Sequence, residues 1–215
     1  MCIIAYGKKG DMTLTQLRTC MENNPDGFFL LGYEEHEKTP HVYLRTFETT
    51  EVEEEFKRLK PSDNFIFHAR IRTHGSITMK NIHGWEEKGW IFCHNGVLHI
   101  RARGDMTDSE TFFKDIFIPA FGDQKAVSSL GKIKMVNAII GTSKMVFFKE
   151  GKMLSFGKFL RPDKEKDVWF SNNTYLAVNW YPVFPPQVGF KSNKVRPAVN
   201  SSFHYLDENL EYELI

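Results

Sequence analysis

Apolar residues in this chain gather in short runs separated by polar or turn-forming clusters. Ile3-Ile4-Ala5-Tyr6, close to the start, is too short for a helix and reads as a buried strand. Leu14, Leu17 and Met21 recur at helical spacing and predict a helix over 13–21. Asn23-Asn24-Pro25-Asp26-Gly27 combines a preset φ, side chains that bond their own backbone, and a glycine, so it reads as a turn. Phe28 to Tyr33 and Pro40 to Phe47 read as strands either side of a polar loop over 34–38. Thr49 or Thr50 caps a helix that runs to Lys60, with Val52, Phe56 and Leu59 inward, and Pro61-Ser62-Asp63-Asn64 stops it. From Phe65 to Thr73 the pattern alternates. Phe65, Phe67, Ala69 and Ile71 share one face; Ile66, His68, Arg70 and Arg72 share the other.

In the second half, Trp90 to Cys93 predicts a strand that runs into His94-Asn95-Gly96 and resumes over 97–100. Asp108 is a natural cap for a helix carrying Phe112, Phe113, Ile116 and Phe117. A short helix or turn is expected over 126–130. Residues 135–141, 144–149 and 152–156 read as a meander of three strands, and 167–171 and 175–178 as two more. Beyond Trp180 the prolines 182, 185, 186 and 197 predict an ordered wrap over 181–215 rather than a core element. Strands outnumber helices and come mostly in hairpins, which predicts an α+β layered fold and not a parallel βαβ sheet. With 19 phenylalanines among 215 residues, the core should be thick, with more than one boundary between layers. No internal repeat breaks the pattern, so a single domain over 1–215 is expected.

Composition narrows the functional classes. Lys plus Arg total 28 and Asp plus Glu 27, for a net charge of +1, which speaks against nucleic acid as a partner and leaves room for a small zwitterion. No apolar run is long enough for a bilayer, and the first one lacks the basic start of a secretory signal. No membrane association and a cytoplasmic location are therefore expected. Three scattered cysteines fit reduced thiols in a reducing compartment. No glycine-rich phosphate loop is present, and His68, His74, His83, His94 and His99 match no metal-ligand spacing. Neither a cofactor nor a metal is expected.

Four places carry candidate chemistry. Once Met1 is trimmed, Cys2 holds a thiol and a free α-amino group on one carbon. The amine titrates near roughly 7.7 to 8.0 and the thiol near roughly 8.5, so the nucleophile has its own base attached; a small hydrophobe ahead of a strand is the plain alternative. His68-Ala69-Arg70-Ile71-Arg72-Thr73-His74-Gly75 places a guanidinium at a strand end. There it can fork onto a carboxylate, with Thr73 and His74 as further donors, or simply be solvated. Asn95 and Gly96 can supply a side-chain and a backbone donor to an oxyanion, or form an ordinary Asn-Gly hairpin turn. Asp108 can hold an ammonium, or only cap its helix.

Taken in order, these pieces resemble the glutaminase domain of the class II glutamine amidotransferases, a family of N-terminal nucleophile hydrolases. The likeness rests on Cys2 ahead of an apolar strand, on Asn24-Pro25-Asp26-Gly27, on Arg70 to Gly75 as an Arg-x-x-Thr-x-Gly stretch, and on Asn81-Ile82-His83, His94-Asn95-Gly96 and Thr107-Asp108-Ser109-Glu110. It covers residues 2 to about 180. The resemblance implies a four-layer αββα sandwich of two antiparallel sheets between helical layers. It implies that Cys2 forms a γ-glutamyl thioester with glutamine, that Asn95 and Gly96 hold the oxyanion, that Arg70, Thr73 and His74 bind the α-carboxylate, and that Asp108 binds the α-ammonium. Three positions depart from the family pattern: Phe29 and Gly84, where another Gly and a Pro are usual, and Ile71, where some members carry Trp. Nor does the length leave room for an ammonia-consuming domain. The expectation is a stand-alone glutaminase that releases ammonia or passes it to a partner protein. Alternatives are a hydrolase of another γ-glutamyl or small amide, and a catalytically silent binding module with the same fold.

Overall fold

The computed structural model describes residues 1–72, 76–122 and 130–176, apart from the side chains of 130–132. Its strands are β1 (Ile3–Lys8), β2 (Phe28–Tyr33), β3 (Val42–Thr46), β4 (Asn64–Ala69), β5 (Trp85–Glu87), β6 (Trp90–Asn95), β7 (Lys144–Lys149), β8 (Lys152–Phe156) and β9 (Val168–Phe170). Its helices are α1 (Leu14–Asn23), α2 (Thr49–Arg58), α3 (Asp108–Thr111), α4 (Ile118–Phe121) and α5 (Leu130–Ile140). Between α3 and α4, Phe112–Phe117 is wound as a π-helix.

The strands form two antiparallel sheets, one in the order β3-β2-β4-β1-β9 and one in the order β5-β6-β7-β8. Alternation along each strand sorts the apolar side chains into three cores. Ile3, Ala5, Phe28, Leu30, Phe65 and Phe67 face Leu17, Met21, Val52 and Phe56 of α1 and α2. Ile4, Tyr6, Phe29, Leu31 and Ile66 point the other way, onto Ile91, Cys93, Val146 and Phe148 of the second sheet. Phe92, Met145 and Phe147 then meet Phe112, Phe113, Phe117, Val136 and Ile140 on the far side. Three cores mean four layers, helix–sheet–sheet–helix. The molecule is the αββα sandwich expected, and the abundance of phenylalanine is explained by three boundaries to fill. Within the third core Phe117 stacks on Phe147 with centroids 4.0 Å apart. Among the described residues no helix is long and apolar enough to cross a membrane.

The local readings hold in part. Thr13 caps α1 in a reciprocal box with Gln16, and β2, β7 and β8 fall where their apolar runs put them. Four readings are corrected. Residues 135–141 belong to a helix: Val136 and Ile140, four apart, are both buried while Lys134 and Met135 are exposed, so a helical period underlies the β-branched run. The helix α2 begins at Thr49 with Glu48 in the cap position and no side-chain cap bond. Thr107, not Asp108, caps α3, its hydroxyl accepting from the Glu110 N–H at 3.1 Å. Residues 97–100 form no strand: β6 ends at Asn95, and both of its neighbours in the sheet are other strands, β5 and β7. The short strand β5 was not anticipated. The turn or helix expected over 126–129 and the wrap over 181–215 lie outside the described residues, as does the end of the strand expected over 175–178; Tyr175 and Leu176 are not in a strand.

Candidate functional site

Two adjacent interior strands of the first sheet bring the proposed nucleophile and the guanidinium together. β1 and β4 run antiparallel with Ile3 opposite Ala69, so Cys2 and Arg70 leave the sheet side by side. The turn at 24–27 then braces the Arg70 backbone. Asp26 N–H donates to the Arg70 carbonyl at 2.8 Å, Arg70 N–H donates to the Gly27 carbonyl at 2.9 Å, and the Asp26 carboxylate accepts from Arg72 N–H at 2.6 Å. The Cys2 carbonyl accepts from Asn172 Nδ2 at 2.6 Å, and Ile4 N–H donates to Ser171 Oγ at 2.8 Å, which fixes the start of β1. Cys2 Sγ lies 3.6 Å from the Ile71 carbonyl, to which the thiol donates. Burial raises the thiol pKa, and the positive charge of Arg70 works against that rise.

Cys2, Arg70, Asn81, Gly96 and Asp108 all line one cavity of about 420 Å³, a size suited to a small-molecule ligand. The end of β6 delivers Gly96. Its φ is +148°, and a Cβ there would stand 2.2 Å from Ser143 Oγ, so both backbone and packing require glycine. With 97–100 outside any strand, His94-Asn95-Gly96 is not the turn of a hairpin. Asp108 does more than begin a helix: its Oδ2 accepts from Leu98 N–H and its Oδ1 from Ser109 N–H, both at 2.8 Å, tying the segment after Gly96 to α3. Asn95 is placed differently. It is buried, it is not among the residues lining the cavity, and its Nδ2 donates to Ser171 Oγ at 2.7 Å. Thr73 and His74 lie outside the described residues.

Three histidines form a column beside this cavity. His68 stacks on His83 with centroids 4.0 Å apart and rings 15° from parallel, and His94 lies 6.4 Å beyond His83, nearly parallel to it. His94 N–H donates to His83 Nδ1 at 3.0 Å, which puts the proton of a neutral His83 ring on Nε2. His94 Nδ1 is 2.7 Å from Ser109 Oγ. Burial lowers the pKa of all three: His68 to about 3, His94 to about 4, and His83 well below the usual value. Parallel rings do not converge on a point. Among the described residues no group of three or more His, Cys, Asp or Glu is placed to hold a metal ion.

The structure also explains one departure and shows what residue patterns missed. At Gly84 φ is +88°, a Cβ would meet Phe29 at 2.2 Å, and the N–H donates to the Phe92 carbonyl at 2.9 Å. Proline fits none of these conditions. Ser143, Ser171 and Asn172 were not anticipated, yet they hold Gly96, Asn95 and Cys2 in place. Ser171-Asn172-Asn173-Thr174 shows in sequence only as a polar turn after a strand. Its role depends on β9 lying next to β1.

No protein-family model matches the chain, and no curated protein matches it. Among solved structures, the chain is similar to glutamine phosphoribosylpyrophosphate amidotransferase from B. subtilis, complexed with ADP and GMP. The TM-score is 0.49 at 14% sequence identity, over 80% of this chain and 42% of that one. The chain thus spans less than half the length of that protein.

Proposed function

We propose that this chain is a glutaminase of the class II amidotransferase type, with Cys2 as nucleophile after removal of Met1. The observation that carries the reading is the meeting of Cys2, Arg70, Gly96 and Asp108 around a single cavity. A free amino acid presents a carboxylate and an ammonium; Arg70 and Asp108 supply one opposite charge for each. Holding both ends presents the side-chain amide to the sulfur, and that positioning lowers the barrier.

In the proposed reaction the Cys2 thiolate attacks the amide carbon of glutamine, its proton having passed to the new α-amino group. Gly96 N–H supports the developing oxyanion; Asn95, outside the cavity lining with its Nδ2 on Ser171, becomes the second donor only when its amide turns towards the substrate. An oxyanion donor contributes typically about 3 to 4 kcal/mol to such a barrier. Collapse breaks the C–N bond, ammonia leaves with the proton returned by the amine, and a γ-glutamyl thioester remains. Water then attacks the thioester to give glutamate and regenerate the thiol. The ammonia is released or handed to a partner protein.

The test is ammonia release from glutamine by the purified chain, with Cys2→Ala and Cys2→Ser alongside. The reading predicts turnover by the natural chain and none by Cys2→Ala. Equal ammonia release by both contradicts it, and turnover of γ-glutamyl amides with none of glutamine moves the assignment to that class of substrate.

A further inference from the structure

A second cavity, of about 480 Å³, has no lining residue in common with the first, but Asn172 and Ser143 of its lining bond Cys2 and Val97 of the other. It opens where the loop at 141–143, the start of β7, the segment after β8 and the turn after β9 meet. Three of its lining residues grip the candidate site from behind. Ser171 Oγ accepts from Asn95 Nδ2 and from Ile4 N–H. Asn172 Nδ2 donates to the Cys2 carbonyl. Ser143 packs against Gly96, and its hydroxyl donates to the Val97 carbonyl at 3.3 Å.

The lining is also cationic. Among the described residues, Lys144 and Lys158 both contribute to it, and no Asp or Glu does. Neither ammonium is held in an ion pair among the described residues, whereas Arg18, Lys60 and Arg103 elsewhere on the surface are each paired with a carboxylate. The Thr142 hydroxyl and the Asn173 amide at the same rim are likewise engaged by no described group. Donors and positive charge that no described carboxylate offsets, around a metabolite-sized space, are the chemistry of an anion site.

We infer that this second cavity binds a small anionic metabolite, bearing phosphate or carboxylate, through Lys144 and Lys158. Its occupant adjusts the Cys2 terminus and the Asn95–Gly96 segment through Ser143, Ser171 and Asn172. The inference stands without the glutaminase reading, because binding and thiol reactivity are measured without turnover.

The experiment titrates the full-length, nitrogen-15-labelled chain with inorganic phosphate and, separately, with citrate. Amide shifts are followed, and the rate of Cys2 alkylation by iodoacetamide is measured at each step. Cys20 and Cys93 are fully buried, so alkylation reports Cys2. Saturable shifts at Ser143, Gly157 and Lys158 with a changed alkylation rate are expected, and the probe that saturates first names the anion class. Lys144→Ala with Lys158→Ala should weaken binding roughly tenfold per lysine removed. Lys158→Gln alone, at an exposed position, should give a single such loss if the double variant folds poorly. Unsaturable shifts spread over surface lysines, shifts centred on Arg70, or equal binding by Lys158→Gln and the natural chain overturn the site. Saturable binding with an unchanged alkylation rate overturns the coupling.

Discussion

Arg70 and Asp108 face the same cavity with opposite charges, but they are built in differently, and their variants should separate. Arg70 is fixed through its backbone by the turn at 24–27, a hold that a change of side chain leaves in place. Arg70→Ala should raise KM for glutamine by roughly tenfold to a hundredfold through loss of a charge-assisted fork, and Arg70→Lys by less. Steady-state kinetics check this, and an unchanged KM removes Arg70 from substrate binding. Asp108 accepts two backbone N–H groups, so Asp108→Ala would disturb structure as well as charge. Asp108→Asn is the cleaner variant: it keeps an acceptor, and its KM should rise while the urea midpoint moves little. Gly96→Ala should cost about 1 to 3 kcal/mol, since the backbone conformation and the Ser143 contact both resist a Cβ. A lowered urea midpoint at constant slope would show it.

At the level of elements, the strand that carries the most chemistry depends on a neighbour far away in sequence. Ser171, just past β9, bonds both Ile4 at the start of β1 and Asn95 at the end of β6, and so links the two sheets at the candidate site. Ser171→Ala leaves two buried donors without their partner. It should cost roughly 1 to 3 kcal/mol of stability, and kcat should fall more than KM rises. Equal stability and kinetics would show the link to be incidental. Residues 2, 70, 96 and 108, which line one cavity, stand out as candidates in the sequence because each belongs to a short local motif beside a clear strand or helix signal. Ser143, Ser171 and Asn172 do not, since their partners lie tens of residues away or more. Residues 135–141, the second half of α5 and the glycine after it, read as a strand because Val136, Ile139 and Ile140 favour strands locally, whereas the third core supplies the helical face. The π-helical stretch Phe112–Phe117 leaves no mark in residue spacing.

Across the whole molecule, the buried histidine column makes stability depend on pH. His68, His83 and His94 are neutral in the fold with lowered pKa values, whereas in the unfolded chain they titrate near 6.5. Between those values the unfolded state binds more protons, so stability is complete above about pH 6.5 and falls as the pH drops towards 4. Urea titrations at pH 7, 5.5 and 4.5 should show midpoints that descend, with up to three protons taken up on unfolding. In a chain with His94→Asn, the fall should be shallower. Flat midpoints would contradict the neutral column. The four-layer build also explains why the candidate site lies at one end of the sheets: Cys2, Arg70 and Gly96 each directly follow or precede a strand end, where side chains leave the cores and meet the cavity.

The central claim is that a mature terminal cysteine attacks the side-chain amide of glutamine. Intact-mass analysis of the purified chain, before and after treatment with a diazo-ketone analogue of glutamine, tests it in one experiment. The account predicts a mass lacking Met1 and a single adduct that maps to Cys2, is suppressed by excess glutamine and is absent from Cys2→Ala. Retention of Met1 in active protein, or an adduct that persists in Cys2→Ala, would contradict it.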